Sequence, residues 1–302
     1  MSSDDESLEQ YLLLLLSDSN LPSGGFVASS SLESYCQHGL LSSDNSRDKP
    51  NGVLNFIKKS VDAYASLNLV FVEQVSNQIS QVLSDDKDEG DQVDTVLSNL
   101  VRIDQQIESM TLNHVAKRAS TAQGVALLTL YERALAPVEY NNTTMTKPRV
   151  QLLIERLRKL IRSGQAFGHL SLGFAVLTSA LGMSLGSSQH LFIFLHARSL
   201  LSSAVRLNIV GPYVAHRLLL HDVRPIVQQT LLKHKRHKHE IQSERDGNNK
   251  EQQQQLQQQQ VAWWFHSDQD ELNEDDEPAT TWPLAEILAA RHDQLHSKIF
   301  NS

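Results

Sequence analysis

The stretch LLLLLSDSNLPSGGFVASSSLES, residues Leu12–Ser34, places five consecutive leucines shortly before a Pro-Ser-Gly-Gly turn. An export signal needs a basic start and a longer apolar run, whereas Met1–Gln10 carries four acidic residues and no Lys or Arg. A phosphate-binding loop needs a lysine at a fixed distance after its glycines, and the first lysine here is Lys49. The stretch therefore predicts a helix, a tight turn and a second helix, with the leucines packed inside.

The composition narrows the class of protein. Apolar residues make up 40% and charged residues 21% of the 302 residues, which is typical of a globular chain. The net charge of −8 argues against a general basic surface for nucleic acid. Cys36 is the single cysteine, so an internal disulfide and a two-cysteine zinc site are excluded. A single cysteine suits a reducing compartment, and we expect the protein to act in the cytoplasm.

One segment, Leu170–Gln189, is long enough to be considered as a membrane span. It contains three glycines and several Ser, Thr and Gln residues, and Gly182 falls where a helix would end. We therefore expect two buried helices joined by a turn, and no contact with a membrane.

Helical periodicity runs through the rest of the chain, and strand-like alternation is scarce. Residues 1–232 are predicted to form one bundle-like helical domain, in which Pro225 should kink or end its helix. Residues 233–280 contain a tract of eight glutamines interrupted by Leu256 and then an acidic run, so we predict a disordered low-complexity insertion. Residues 281–302 return to an apolar helical stripe. The predicted fold class is all-α, a single helical domain with an insertion before a C-terminal helix.

The chain offers little evidence of catalytic chemistry. It lacks the HExxH, GxSxG, Walker and GxGxxG motifs, and His196 reads as a satisfied core or interface histidine. A metal-binding alternative rests on His234, His237 and His239, although the lysines and arginine among them would repel a divalent cation. Arg206 lies in an otherwise apolar segment, which indicates either an ion pair or a contact between subunits.

Four blocks in the same order resemble the urease accessory protein F family, a component of a nickel-insertion chaperone. LPSGGFVASSSLES is similar to that family's LPxGGFxxSxGLE, with Ser31 where a glycine is usual. The other blocks are RASTAQGVALL (Arg118–Leu128), the pair Gly168–Leu185 and Ser203–Leu219, and ARHDQLHSKIFNS (Ala290–Ser302). In the last block Lys298 and Ile299 replace the family's Arg and Leu, which keeps the charge but removes any bidentate arginine contact.

The resemblance implies an all-helical protein that is not an enzyme and binds no cofactor tightly. The family bridges an accessory protein called D or H to a nickel-carrying GTPase called G, is described as a homodimer, and helps deliver nickel to apo-urease. By position, the resemblance assigns partner contacts to three groups of residues: Pro22, Gly24, Gly25, Phe26 and Glu33 in the N-terminal block; Arg118, Gln123, Arg206, Gly211 and Tyr213 in the middle; Arg291, His292, Leu295, Lys298 and Phe300 in the tail. Two alternatives stay open: a nickel buffer that uses the three histidines, and a regulator that supplies Arg206 or Arg118 to the GTPase.

Overall fold

The computed structural model describes residues 3–41, 49–84, 91–136, 149–236, 238, 279 and 281–301. Every regular element in these ranges is helical, which confirms the all-α prediction. The helices are α1 Ser3–Leu16, α2 Leu32–Gln37, α3 Lys49–Ser84, α4 Asp91–Met110, α5 His114–Leu130, α6 Arg149–Arg162, α7 Leu170–Ala180, α8 Leu185–Arg206, α9 Pro212–Leu218, α10 224–236 and α11 Pro283–Arg291. Most of the predicted 233–280 insertion lies outside the described residues. Helix α10 continues past residue 233, where the insertion was predicted to begin.

The longest helix, α3, forms the axis of the bundle. Its 36 residues extend about 54 Å at 1.5 Å per residue, and α4, α7 and α8 all pack against it. Its inward face includes Leu69, Val72 and Val75, which are completely buried. Because apolar side chains recur at helical spacing along this face, the helices around it share one continuous core.

Helices α5 and α7 approach each other closely where they cross. A Cβ atom added at Gly124 would lie 2.2 Å from the carbonyl oxygen of Gly168, and one at Gly173 would lie 2.6 Å from the carbonyl oxygen of Gly124. These separations are far below van der Waals contact, so only glycine fits on either side. The crossing brings the N-terminal half of α5 to the edge of the bundle, where the candidate site lies.

The two-helix interpretation of Leu170–Gln189 is confirmed. Helix α7 ends at Ala180, Gly182 adopts a φ of +76°, and α8 begins at Leu185. Within the described ranges, no helix combines the length and apolarity that a bilayer crossing requires.

One local expectation is corrected. The five leucines do not all pack inside, because consecutive helical residues point around the helix: Leu12 and Leu16 are buried, whereas Leu14 is 72% exposed.

The helix that contains Pro225 is interrupted just before the proline. Helix α9 ends at Leu218, and a π-helical turn follows at Leu219–Val223. The wider turn accommodates a proline that would clash with an α-helical carbonyl.

Candidate partner-binding site

The N-terminal block turns sharply between α1 and α2. Gly24 has a φ of +73°, a conformation that favours glycine, and Gly25 begins a single 3₁₀ turn. A Cβ atom on Gly25 would lie 3.0 Å from Oε1 of Gln123, so this glycine lets the turn approach α5 closely. Pro22 is exposed and Phe26 is 64% exposed. The turn therefore presents an aromatic ring outward from a tightly fixed backbone.

Ser31 explains how the chain tolerates its departure from the family pattern. The residue adopts a φ of +71°, which is the reason a glycine suits this position. Its hydroxyl donates a hydrogen bond to the carbonyl of Ala285 at 3.2 Å. The serine thus tethers α11 to the start of α2, and this contact offsets part of the cost of the left-handed backbone.

Glu33 joins the N-terminal block to the C-terminal tail. Its carboxylate is buried and accepts hydrogen bonds from Nε2 of His292 at 3.0 Å, the backbone N–H of Ile299 at 2.6 Å and that of Phe300 at 3.1 Å. A buried carboxylate is costly unless it is paired and hydrogen-bonded. Since the tail supplies all three of these donors, the tail and the block stabilise each other.

A second set of contacts fixes the outer side of the tail. Arg118 donates two hydrogen bonds to Asp293, at 3.0 and 3.1 Å, and a third to the carbonyl of Asn301 at 3.0 Å. The backbone N–H of Asn301 donates to the carbonyl of Val27 at 2.9 Å. The hydrogen bonds from Arg118 lower the pKa of Asp293 to about 2. The ammonium of Lys298 lies 3.8 Å from the same carboxylate.

Arg206 lies between the two segments. Its guanidinium carbon is 3.9 Å from the ring centroid of Phe26 and 4.3 Å from that of Phe300. It also donates a hydrogen bond to the carbonyl oxygen of Phe26, and partial burial lowers its pKa. The sequence placed Arg206 in an apolar segment, and the structure shows that its guanidinium stacks on two aromatic rings, one from each end of the chain.

We call the assembly of residues 22–33 and 291–301 with Arg118 and Arg206 the N–C junction. Its outer surface carries Phe26, Val27 and Ile299, the last of which is 64% exposed. Arg291 and Lys298 are exposed beside them, and Leu295 is half-buried. Exposed apolar side chains beside basic groups are typical of surfaces that bind another protein.

The remaining predicted residues lie elsewhere or are partly outside the described chain. Gly211 caps α9, and Tyr213 on that helix is 88% exposed; neither forms a hydrogen bond with the tail in the described residues. His234 is half-buried on α10, whereas His237 and His239 lie outside the described side chains. Within the described part of the chain, no three metal-binding side chains gather together.

Sequence reasoning missed a buried polar network that joins α4 and α5 to the residues before α7. Asp104 is fully buried and accepts the backbone N–H groups of Phe167, Gly168 and His169 at 2.6, 2.8 and 3.1 Å, at the start of α7. The ring of His169 lies 2.9 Å from Glu108 and 3.1 Å from Ser120. Neither Asp104 nor Asp293 is marked by a local motif, because their partners lie many residues away in the chain.

Comparison with known proteins places these features in a family. The UreF family model matches residues 49–221. The chain is 38% identical to urease accessory protein 6 of Cryptococcus neoformans, over 97% of both chains. It is 31% identical to urease accessory protein F of Arabidopsis thaliana, over 75% of this chain and 80% of that one. It is also 26% identical to an uncharacterized UreF-like urease accessory protein of Schizosaccharomyces pombe, over 99% of both. The chain belongs to the UreF family of urease accessory proteins and has a role in urease maturation.

Proposed function

We propose that this protein bridges two other accessory proteins, the D/H partner and the nickel-carrying GTPase, so that nickel is inserted into apo-urease. The N–C junction is the surface for the D/H partner. Gly211, Tyr213 and the adjoining face of α9 serve the GTPase or a second copy of the chain. The protein acts in the cytoplasm, holds no cofactor of its own and leaves nickel to the complex.

The observation that carries this proposal is the joining of the two ends of the chain by Glu33. Ten of the fifteen residues that the resemblance assigned to partner contact fall in the N-terminal block or the tail. The hydrogen bonds from His292, Ile299 and Phe300 to one buried carboxylate bring these two groups into a single surface. A composite surface of this kind is complete only when the tail is docked.

The environment of His196 argues against a role in acid–base catalysis. His196 is half-buried and hydrogen-bonded to Ser60 at 2.9 Å, and burial lowers its pKa to about 3. It therefore stays neutral at physiological pH. Its ring stacks on Tyr64 with centroids 3.9 Å apart, which agrees with the prediction of a satisfied core or interface histidine.

The contacts of the two arginines argue against the GTPase-regulator alternative. An arginine supplied in trans must be free to reach the phosphates of the bound nucleotide. Arg206 is held between two aromatic rings, and Arg118 is bound to Asp293 and Asn301. Both would have to break contacts within the chain before they could act on another protein.

The nickel-buffer alternative rests on the basic segment at the end of α10, which forms ion pairs with the bundle. Lys233 lies 3.1 Å from Asp62, and Lys238 pairs with Glu73. Both carboxylates belong to α3, so these lysines attach the basic segment to the bundle. A divalent cation near His234 would meet this positive charge, and for this reason we favour bridging.

A truncation tests the proposal. A chain that ends at Arg291 keeps α11 but loses His292 and the three tail amides that contact Glu33 and Val27. We expect it to remain helical by circular dichroism and to lose capture of the D/H partner in a pull-down. Tyr213→Ala is the matched control, which should retain D/H capture because it alters a different exposed surface. Full capture by the truncated chain would contradict the assignment of the junction.

A further inference from the structure

A cavity of about 750 Å³ lies behind the N–C junction. Its walls come from the N-terminal block, α3, α5, α7, α8, α9 and α11, and aromatic side chains including Tyr64, Phe174, Phe192 and Trp282 line it. Gly25, Phe26 and Arg206 belong both to this lining and to the junction. The cavity is therefore continuous with the surface that we assign to the D/H partner.

The charged groups in this lining differ in whether they are engaged. Arg198 donates to the carbonyl of Ser17, and Asp18 accepts the backbone N–H of Asn20 at 2.9 Å. Arg206 is stacked between its two rings. Glu286 on α11 differs from these groups: its carboxylate has no hydrogen bond or ion pair with any described residue, and the side chain of Asn113 donates to its backbone carbonyl instead, at 2.8 Å.

The position of Glu286 makes this lack of a partner significant. The side chain is half-buried, and its neighbours toward the cavity on α11 are Ala285 and Ala289, which leave space around the carboxylate. Burial without a compensating partner raises the pKa of Glu286. A half-buried carboxylate that no described group pairs is available to the cation of a bound partner, and a partner that covers it would exclude the solvent that now screens its charge.

We infer that the cavity receives an apolar segment of the D/H partner that carries one Lys or Arg, whose cation pairs with Glu286. This inference rests on the proposed function. We expect a basic residue in the partner segment because its charge complements that of Glu286. We expect apolar side chains on either side of it because aromatic rings line the cavity. The continuity with Phe26 and Arg206 allows one partner segment to cover the junction and enter the cavity.

The test compares Glu286→Gln with the unaltered chain. The amide has nearly the same shape but no charge, so affinity for the D/H partner, measured by calorimetry, should fall about tenfold or more. The thermal unfolding midpoint should stay the same or rise, because the substitution removes an unpaired charge from an apolar site. Asp94→Asn is the matched control: it removes the same charge from an exposed pair with Arg156 and should leave affinity unchanged.

The outcomes separate the two proposals. If the unaltered chain binds the D/H partner and Glu286→Gln binds equally well, the inference about the cavity is wrong and the bridging function stands. A lower unfolding midpoint together with weaker binding would assign Glu286 a structural role and also overturn the inference. If the unaltered chain does not bind the D/H partner at all, both proposals fail.

Discussion

The crossing of α5 and α7 and the N–C junction are held together in opposite ways. At the crossing, Gly124 and Gly173 let two backbones touch, and the stabilisation comes from apolar packing. At the junction, a buried carboxylate, a stacked guanidinium and an exposed ion pair hold two distant segments together. Packing of the first kind determines whether the bundle folds. Contacts of the second kind determine whether a surface is assembled on a bundle that has already folded.

The largest expected effect is at the crossing. Gly124→Ala places a methyl group 2.2 Å from the carbonyl oxygen of Gly168, so the helices must separate. We expect a loss of about 3 kcal/mol or more in the free energy of unfolding, measured by chemical denaturation. Gly186→Ala on α8 is the control, because nothing lies within 4 Å of the added methyl group. Similar losses from the two substitutions would contradict the packing account.

The next effect is at Glu33. Glu33→Gln keeps the shape of the side chain but removes its charge and places an N–H₂ group where one tail donor now points. Since this breaks a buried charged network, we expect a cost of about 2–4 kcal/mol to tail docking. Hydrogen exchange should speed up at the amides of Ile299 and Phe300 while the amides of α3 stay protected. Gln37→Ala removes only an exposed bond to the carbonyl of Ser297 and should change little. Equal loss of protection in α3 and the tail would show that the junction and the core unfold together.

Arg206→Lys should have a smaller effect. Lysine keeps the charge but cannot place a planar cation between the rings of Phe26 and Phe300. We expect a loss of about 1 kcal/mol in D/H binding with an unchanged helical spectrum. Unaltered affinity would show that the stacked geometry has no part in partner recognition.

The smallest effect concerns Asp293 and pH. The pKa of Asp293 in the folded chain, about 2, lies below its ordinary value of 3.8. The carboxylate therefore stabilises the docked tail above pH 3.8, and this stabilisation is lost as the pH falls toward 2. Because the pair with Arg118 is exposed, we expect less than about 1 kcal/mol, further reduced by salt. This contribution can be measured by hydrogen exchange of the tail amides across this pH range, in the unaltered chain and in Asp293→Asn. A difference between the two that persists at the acidic end would contradict the pairing.

Much of the fold could be predicted from local sequence patterns. Helical periodicity with little strand-like alternation predicted the all-α fold, and Gly182 correctly predicted the break between α7 and α8. The exposed Leu14 and the π-helical turn before Pro225 could not be predicted this way, because both depend on which helix face meets the core. Local patterns fix the type of an element better than its packing.

The candidate site was predicted as a set of residues but not as a geometry. Glu33, Arg206 and Phe300 were each singled out, yet no pattern in one sequence shows that positions about 260 residues apart share hydrogen bonds. Asp293 and Glu286 were missed because an acidic side chain on a helix reads as solvated. Only the folded chain shows that one is paired with Arg118 and that the other lies at an apolar cavity.

The most direct test of the account is a double-mutant cycle across the junction, with D/H affinity measured by calorimetry for Phe26→Ala, Phe300→Ala and the double variant. If the two ends form one surface around Arg206, the losses should be coupled, and the double variant should lose about 1 kcal/mol less than the sum of the single losses. Strictly additive losses, or no effect from either substitution, would contradict the claim that the N-terminal block and the tail act as one site.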